Sequence, residues 1–230
     1  MGDIAEKIYS IAVDGPSGAG KSSLAKAIAA ELHILYVDTG AIYRTIGCYA
    51  RRKGVETADT EAIIALLPEV EIGMCYDAQG LQHMLLHGED VTEEIRLPEM
   101  SLYASAVSAI PEVRAFLLEM QRDFARKSSV IMDGRDIGTV VLPHADVKIF
   151  LKADVEVRAR RREIELQERG TPRPYKQVLE EMRQRDYNDT HRSAAPLRAA
   201  EDAVIVDTSD LDFRQSKEKL LEIIREKVGL

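Results

Sequence analysis

Residues 8–23 read IYSIAVDGPSGAGKSS, and this stretch decides the fold of the 230-residue chain. An apolar run of strand length ends at Asp14, and residues 15–22 then match the pattern G-x-x-x-x-G-K-[ST] in full. Residues 24–32 continue as an apolar helix face rich in good helix formers. A strand, a glycine-rich turn and a helix in this order predict a loop that holds the phosphates of a nucleoside triphosphate.

The residue types of this loop suit an anion. Its glycines let the backbone turn tightly, so that successive N–H groups point inward, and the helix that begins near Lys21 adds the positive end of its dipole. Lys21 is expected to reach the β- and γ-phosphates, and the Ser22 hydroxyl is expected to bind Mg²⁺. ATP and Mg²⁺ are thus the expected cofactors, and the predicted ATP-binding residues are Gly15, Pro16, Ser17, Gly18, Ala19, Gly20, Lys21, Ser22 and Ser23.

Composition excludes several classes of protein. Hydrophobic residues make up 45% and charged residues 30% of the chain, as in ordinary globular proteins. The net charge of −8 argues against a general nucleic-acid binder. Two cysteines without a C-x-x-C pattern predict neither a disulfide framework nor a zinc knuckle. Because no apolar run approaches membrane length and the N-terminus lacks an apolar signal segment, we expect a cytoplasmic protein without a membrane partner. We also expect a monomer, although nothing in the sequence fixes the oligomeric state.

The remainder of the chain alternates apolar strands with helical patterns, which predicts an α/β fold: a parallel sheet flanked by helices. Residues 69–96 differ, because alternating apolar residues around a turn-like stretch at 77–80 predict a small antiparallel sheet. We therefore predict one domain of 1–230, with a core at about 1–66, 97–157 and 191–230. A β insert occupies about 67–96, and an arginine-rich lid occupies about 158–190.

Arginines follow two of the predicted strand ends, where a parallel sheet places its ligands. Arg44 comes six residues after Asp38, and Arg135 comes two residues after Asp133. An arginine can hold a phosphate through two parallel hydrogen bonds, so both residues suit a second, phosphorylated ligand. The alternative is that each arginine pairs with a nearby carboxylate at a helix end.

Residues 158–192 contain nine arginines and seven acidic residues, for which a salt-bridged helical surface is the default interpretation. The consecutive arginines at 160–162 are harder to explain in this way, because neighbouring like charges repel each other. With the helix-breaking stretch at 170–174, they favour a mobile helical lid that brings arginines over a transferring phosphoryl group.

A general base is hard to identify in this sequence. A phosphate monoester needs none, because its second pKa near ~6 leaves a nucleophilic oxygen ionised at pH 7. A kinase for small hydroxyl compounds of the shikimate or gluconate type would need such a base. A nucleotide sensor without turnover and an RNA-binding regulator remain alternatives from other classes.

Four stretches together closely resemble bacterial cytidylate kinases: residues 15–22, the run DTGAIYR at 38–44, the run DGRDIGT at 133–139 and the run RDYND at 185–189. The resemblance covers nearly the whole chain, including the β insert, which it identifies as the part that binds the nucleoside monophosphate. It implies a nucleoside monophosphate kinase that transfers the γ-phosphoryl group of ATP to CMP or dCMP, which yields CDP or dCDP and ADP.

The resemblance also implies roles for individual residues. Two arginines, Arg44 and Arg135, correspond to the residues that bind the acceptor phosphate. The residues that hydrogen-bond the edge of the cytosine ring correspond to Asp136, Ser105 and Arg114. Arg185 and Asp189 correspond to the pair of residues that holds the ribose. The implied catalytic residues are Lys21, Arg135, Arg162 and Arg192; the implied substrate-binding residues are Thr39, Tyr43, Arg44, Ser105, Arg114, Arg135, Asp136, Arg185 and Asp189.

Thr39 departs from the family pattern, which often has serine at this position. Threonine keeps the hydroxyl group but adds a methyl group. We expect contact with the base to survive, while the fit to UMP or to a deoxyribose could shift.

Overall fold

The computed structural model describes residues 8–97, 99–168 and 170–229. Arg169, one of the nine arginines counted above, lies outside the described residues, as do residues 1–7, Pro98 and Leu230. The elements in chain order are β1 (Ser10–Asp14), α1 (Lys21–Leu32), β2 (Leu35–Asp38), α2 (Thr39–Arg52), α3 (Thr60–Leu66), β3 (Ile72–Tyr76), β4 (Gln82–Leu86), β5 (Glu89–Asp90), α4 (Met100–Ser108), α5 (Pro111–Lys127), β6 (Val130–Gly134), β7 (Val147–Lys152), α6 (Val155–Glu168), α7 (Tyr175–His191), β8 (Val204–Asp207) and α8 (Phe213–Val228).

Five strands form a parallel sheet in the order β2-β6-β1-β7-β8. The central strands are buried along almost their whole length, because helices cover both faces of the sheet. Strands β3, β4 and β5 form a separate antiparallel sheet. The predicted fold class, a parallel sheet flanked by helices with a small antiparallel sheet, is confirmed.

Each face of the parallel sheet has its own apolar core. One core includes Ile42, Leu117 and Met132 and lies against α2, α4 and α5, whereas the other packs Ile28 and Leu220 against α1 and α8. A third, small cluster lies between α6 and α7 and consists of Ala159, Leu166, Val178 and Met182. Within the described ranges, no helix is both long and apolar enough to cross a membrane.

A π-helical turn at Ile137–Val141 is absent from the sequence prediction. Its first N–H groups belong to Ile137 and Gly138, and both donate to the Asp14 carboxylate, each at 2.8 Å. Asp14 ends β1, so this contact connects the strand before the glycine-rich loop to the segment after β6. A side chain so distant in sequence leaves no local signal for the turn.

The buried Asp14 makes stability depend on pH. Burial raises the pKa of Asp14 from its ordinary value of 3.8 to about 7, although two backbone N–H groups act in the opposite direction. The folded protein therefore retains a proton that the unfolded chain releases, so ionisation of Asp14 lowers stability as the pH rises from 3.8 towards about 7.

We expect Asp14→Asn to remove this dependence. Denaturant unfolding across this pH range should give a free energy of unfolding that falls more steeply with pH in the unaltered protein than in the variant. One proton limits the difference in slope to about 1.4 kcal/mol per pH unit. Equal slopes would show that Asp14 ionises alike in both states.

Candidate functional site

A cavity of about 1510 Å³ opens at the carboxyl edge of the parallel sheet. Lys21 lines it together with arginines from separate segments: Arg44 of α2, Arg135 after β6, Arg162 of α6 and Arg185 of α7. Among the site residues predicted from the sequence, only Gly15 and Pro16 do not line this cavity. The fold therefore brings together predicted site residues that are up to 175 positions apart in the chain (Ser17 to Arg192).

The glycine-rich loop joins β1 to α1, and two of its glycines are required, one by close packing and one by its backbone conformation. Gly15 has φ 148°, and a Cβ atom there would lie 2.3 Å from the Leu151 carbonyl oxygen. Gly18 has φ 74°, and a Cβ atom there would lie 2.6 Å from Cε of Met182 in α7. At Gly15 the backbone of β7 therefore leaves no room for a side chain, whereas at Gly18 the positive φ disfavours one, because the Met182 methyl group could move aside.

Lys21 lies at the start of α1 with its side chain buried. Its Nζ donates to the Pro16 carbonyl oxygen at 2.7 Å. Burial, followed by the positive charge of Arg135, holds the pKa of Lys21 well below its usual value. Burial and Arg135 likewise lower the pKa of Arg185 to about 10. Cations crowded into a water-poor space are stabilised by an anion, so this part of the cavity suits phosphate.

Two buried guanidinium atoms in this region, Arg44 Nε and Arg185 Nε, have no hydrogen-bond partner among the residues that the structure describes. Buried polar atoms are normally hydrogen-bonded, and guanidinium donors are well matched to phosphate oxygens. Arg44 also donates from Nη2 to Asp38 Oδ2 at 2.8 Å. The pairing with a helix-end carboxylate, which was the alternative interpretation, thus occurs and still leaves a donor of Arg44 unused.

Arg135 is joined to α7 through Asp189. Its Nε donates to Asp189 Oδ2 at 2.8 Å, and the Asp189 side chain is only 7% exposed. Burial acts to raise the pKa of Asp189, but the guanidinium groups of Arg135 and Arg185 outweigh it and lower the pKa. Asp189 therefore remains an ionised acceptor that orients Arg135 at the edge of the cavity.

The Ser22 hydroxyl and the Asp133 carboxylate form a pair of oxygen ligands beside the loop. Ser22 Oγ donates to Asp133 Oδ2 at 2.8 Å, and the Tyr36 hydroxyl donates to Oδ1 at 2.9 Å. Burial, followed by the negative charge of Asp38, raises the pKa of Asp133 to about 6. A hydroxyl and a carboxylate fit Mg²⁺, which prefers oxygen ligands and takes few of them from protein. Within the described ranges, no group of three or more His, Cys, Asp or Glu side chains could hold a metal ion.

The other end of the cavity is arranged around Asp136, which is buried. Arg114 of α5 donates from Nη2 to Asp136 Oδ2 and from Nη1 to the Ser108 carbonyl oxygen at 3.1 Å. Arg192 Nη2 lies 3.5 Å from Asp136 Oδ1. The Arg114 guanidinium also lies 5.6 Å from the Tyr43 ring centroid. Together these side chains form a polar end of the cavity with a defined shape, which suits the edge of a nucleotide base.

Arg192 was predicted from the resemblance to face the transferring phosphoryl group. The structure places it in the Asp136 group, where its Nη1 lies 3.4 Å from Ser108 Oγ and its Nε donates to the Ala195 carbonyl oxygen at 2.8 Å. Ser105 lies one turn before Ser108 in α4, also on the cavity wall. The catalytic role of Arg192 stays a prediction.

The Thr39 hydroxyl uses its only proton in a hydrogen bond within the protein. Its Oγ1 donates to the Asp133 carbonyl oxygen at 2.7 Å. Towards a ligand in the cavity, this hydroxyl can therefore only accept a hydrogen bond. An amino group of a base is a suitable partner for it.

The three consecutive arginines of α6 have separate partners, which shows how the structure accommodates neighbouring like charges, and their predicted role over a transferring phosphoryl group stays a prediction. Arg160 stacks on the Tyr175 ring at 3.9 Å, outside the cavity lining. Arg161 donates to the Thr208 carbonyl oxygen at 2.7 Å, and Arg162 pairs with Glu165 at 2.7 Å. Successive residues on a helix point about 100° apart, which keeps these charges separated. Arg161 and Arg162 both line the cavity.

Sequence reasoning missed contacts that tie outlying segments to this site. Gln82 of β4 accepts from the Asp38 N–H at 2.7 Å, and the Tyr76 hydroxyl donates to the Tyr36 carbonyl oxygen at 2.8 Å. These bonds attach the antiparallel sheet to β2. No motif marks Gln82 or Tyr76, because their partners are backbone groups about 40 residues away (44 and 40 positions, respectively).

Comparison with known proteins agrees with this geometry. The model of the cytidylate kinase family matches residues 11–226. A cytidylate kinase of Caldicellulosiruptor saccharolyticus is 48% identical over 223 residues, covering 97% of this chain and 98% of the relative. A cytidylate kinase of Carboxydothermus hydrogenoformans is 47% identical over 217 residues, covering 94% and 97%.

Among solved structures, an uncharacterized protein from Eubacterium ventriosum superposes with a TM-score of 0.52 at 13% identity, covering 94% of this chain and 98% of that chain. At this identity, the likeness concerns the fold alone. The sequence relatives and the family match carry the assignment: this chain belongs to the cytidylate kinase family.

Proposed function

We propose that this chain is a nucleoside monophosphate kinase that transfers the γ-phosphoryl group of ATP to CMP or dCMP, which yields CDP or dCDP and ADP. Its family and its close relatives, which are named cytidylate kinases, support this activity. The observation that carries the proposal is the convergence of Arg44, Arg135 and Arg185 with Lys21 on one cavity. One end of that cavity suits the phosphates of ATP and the phosphate of the acceptor nucleotide, and the other end suits the base of the acceptor.

ATP would be held by the glycine-rich loop. The backbone N–H groups of residues 17–22 and the N-terminus of α1 would bind the phosphates, and Lys21 would exchange the Pro16 carbonyl oxygen for a phosphate oxygen. Ser22, with Asp133 beside it, would hold Mg²⁺, which when bound supplies positive charge to the phosphate oxygens. This exchange also relieves the unfavourable crowding of cations around Lys21.

The acceptor phosphate would lie between Arg44, Arg135 and Arg185. The unpartnered Nε atoms of Arg44 and Arg185 would donate to its oxygens. Asp189 would hold Arg135 in place and accept from the ribose hydroxyls. An ionised phosphate oxygen attacks without a general base, so the chain needs to supply positioning and positive charge. Arg162 on α6 is the lid residue that we place nearest the transferring group.

The base would be read at the Asp136 end of the cavity. Cytosine offers an exocyclic amino group as a donor, which the Asp136 carboxylate and the Thr39 hydroxyl could accept. Arg114 and Arg192 would hold that carboxylate in place, and Arg114 would donate to the acceptor atoms of the ring. We propose this supporting role for Arg192 because it lies against Asp136, beside the catalytic role that the resemblance implies.

We further propose that the β insert at 67–96 and the helices at 158–190 act as closing elements around the nucleotides. The attachment of Gln82 to Asp38 and the separate apolar cluster between α6 and α7 support this division. We also propose that the protein acts as a cytoplasmic monomer on small molecules, and the net charge of −8 supports the exclusion of nucleic acid.

An ADP-release assay with CMP, dCMP, UMP, AMP, shikimate and gluconate as acceptors tests the activity. We expect strong stimulation by CMP and dCMP, weaker stimulation by UMP, and none by the two hydroxyl compounds. ATP binding without turnover on any acceptor would instead favour a nucleotide sensor. Stimulation by shikimate or gluconate with no response to CMP would defeat the proposal.

A further inference from the structure

Arg158 near the start of α6 is buried and hydrogen-bonds three separate segments. Its Nε donates to the Ala153 carbonyl oxygen at 2.8 Å, and its Nη1 donates to the Ser17 carbonyl oxygen at 3.0 Å. Asp186 of α7 accepts from both ends of the fork, at 3.2 Å from Nη1 and 2.6 Å from Nη2. A single guanidinium group thus joins the end of β7, the glycine-rich loop and α7.

Asp186, which accepts from Arg158, lies on α7 next to residues that line the cavity. Asp186 directly follows Arg185 and precedes Asp189 by three residues, and both of these neighbours face the acceptor side of the cavity. One turn earlier, Met182 packs against Gly18, where a Cβ atom would lie 2.6 Å from its Cε. The helix that carries the acceptor-side residues is therefore joined to the donor loop at two points.

Arg158 and Asp186 do not themselves line the cavity, whereas Ser17, Arg185 and Asp189 do. Any influence of the pair on the reaction must therefore pass through the loop on one side and α7 on the other. The small apolar cluster between α6 and α7, which includes Ala159 next to Arg158, makes the two helices one packed unit. Arg158 connects this unit to the loop.

We propose that Arg158 and Asp186 are positioning residues that set the distance between the donor phosphates and the acceptor-side groups of α7. The proposal rests on the proposed function, because it assigns the two sides of the cavity to ATP and to the acceptor. Phosphoryl transfer depends on in-line alignment, and a misplacement of about 1 Å can cost roughly 100-fold in rate. The planar guanidinium group of Arg158 donates to four acceptor atoms from three separate nitrogens, whereas the donors of lysine all lie on one nitrogen and cannot span them.

Steady-state kinetics of Arg158→Lys and Asp186→Asn test this proposal. Each variant should lose roughly ten- to a hundredfold in kcat. The KM for ATP should stay within about threefold of the unaltered protein, because the loop N–H groups and Lys21 remain in place. The double variant should lose about as much as either single variant, since both changes break the same connection.

Arg160→Lys is the matched control. Arg160 lies two residues along the same helix, stacks on Tyr175 outside the cavity and pairs with Glu163. We expect its kinetics to match those of the unaltered protein. If Arg158→Lys does not fold, Asp186→Asn, whose amide keeps one acceptor, carries the same test; denaturant unfolding identifies which variants are folded.

Folded variants with unchanged kcat would overturn the proposal. A KM for ATP that rises in step with the loss of kcat would overturn it too, because it would indicate general damage to the loop. Failure of the proposed function is distinguishable, because then the unaltered protein itself would release no ADP when CMP is added. Additive losses in the double variant would also contradict a shared connection.

Discussion

Replacing Arg135 with alanine should lower kcat/KM for CMP about a thousandfold, which is the low end of the effect of an arginine on phosphoryl transfer. Its Nε is held by the buried Asp189, so the guanidinium is positioned towards the cavity before any ligand arrives. The variant removes positive charge where negative charge collects in the transition state. ATP affinity, measured by equilibrium titration without CMP, should change little, because the glycine-rich loop and Lys21 bind the donor.

The loss of Arg135 also leaves Asp189 with less compensation for its burial, so denaturant unfolding must show that the variant is folded under assay conditions. Breaking a buried ion pair typically costs about 3–5 kcal/mol, and the remaining Arg185 should moderate this cost. Arg160→Ala is a suitable control, since it removes an arginine outside the cavity lining. An equal loss of ATP affinity in Arg135→Ala would mean that the acceptor clamp is assigned to the wrong residue.

Replacing Asp136 with alanine should reduce the preference for CMP over UMP by about a hundredfold or more, because a site that hydrogen-bonds a substrate group discriminates strongly against an analogue without it. Cytosine presents an amino group where uracil presents a carbonyl oxygen, which the Asp136 carboxylate would repel. The decrease in kcat/KM should be much larger for CMP than for UMP. The measurement is kcat/KM for both nucleotides at saturating ATP.

Asp136→Asn provides the companion variant. Its amide could donate to the uracil oxygen, so the preference should move further towards UMP than in Asp136→Ala. Both variants leave Arg114 and Arg192 without their carboxylate partner, and a common loss of stability would therefore not alter the comparison between them. An unchanged ratio of CMP to UMP in both would assign base recognition to another residue.

Much of the fold follows from local pattern. The phosphate-binding loop could be predicted because its glycines, Lys21 and Ser22 stand between a strand and a helix, all within one short stretch. The start of α5 could be predicted because Pro111 suits the first turn of a helix. The antiparallel sheet could be predicted from the alternation on either side of the turn at 77–80.

Fewer residues of the candidate site could be predicted from local sequence patterns. The carried-over residues Ser105, Asp136 and Arg185 line the cavity, yet the resemblance to a family, and not their spacing, pointed to them. Arg158 had no distinguishing signal: it is one arginine among many in an arginine-rich helix. Its neighbour two positions on, Arg160, reaches solvent and an aromatic ring instead of the loop.

The sequence by itself determined where the strands and helices form and that a nucleotide phosphate binds after β1, because hydrogen bonds within helices, apolar periodicity and glycine conformations are local properties. Only the tertiary structure decided which charges meet. The sheet order β2-β6-β1-β7-β8 brings Asp14 to the N–H groups of Ile137 and Gly138, and the packing of α7 against the loop brings Asp186 to Arg158. Such partners are separated by 28 to 124 residues, and their approach depends on how buried surfaces pack across the whole domain.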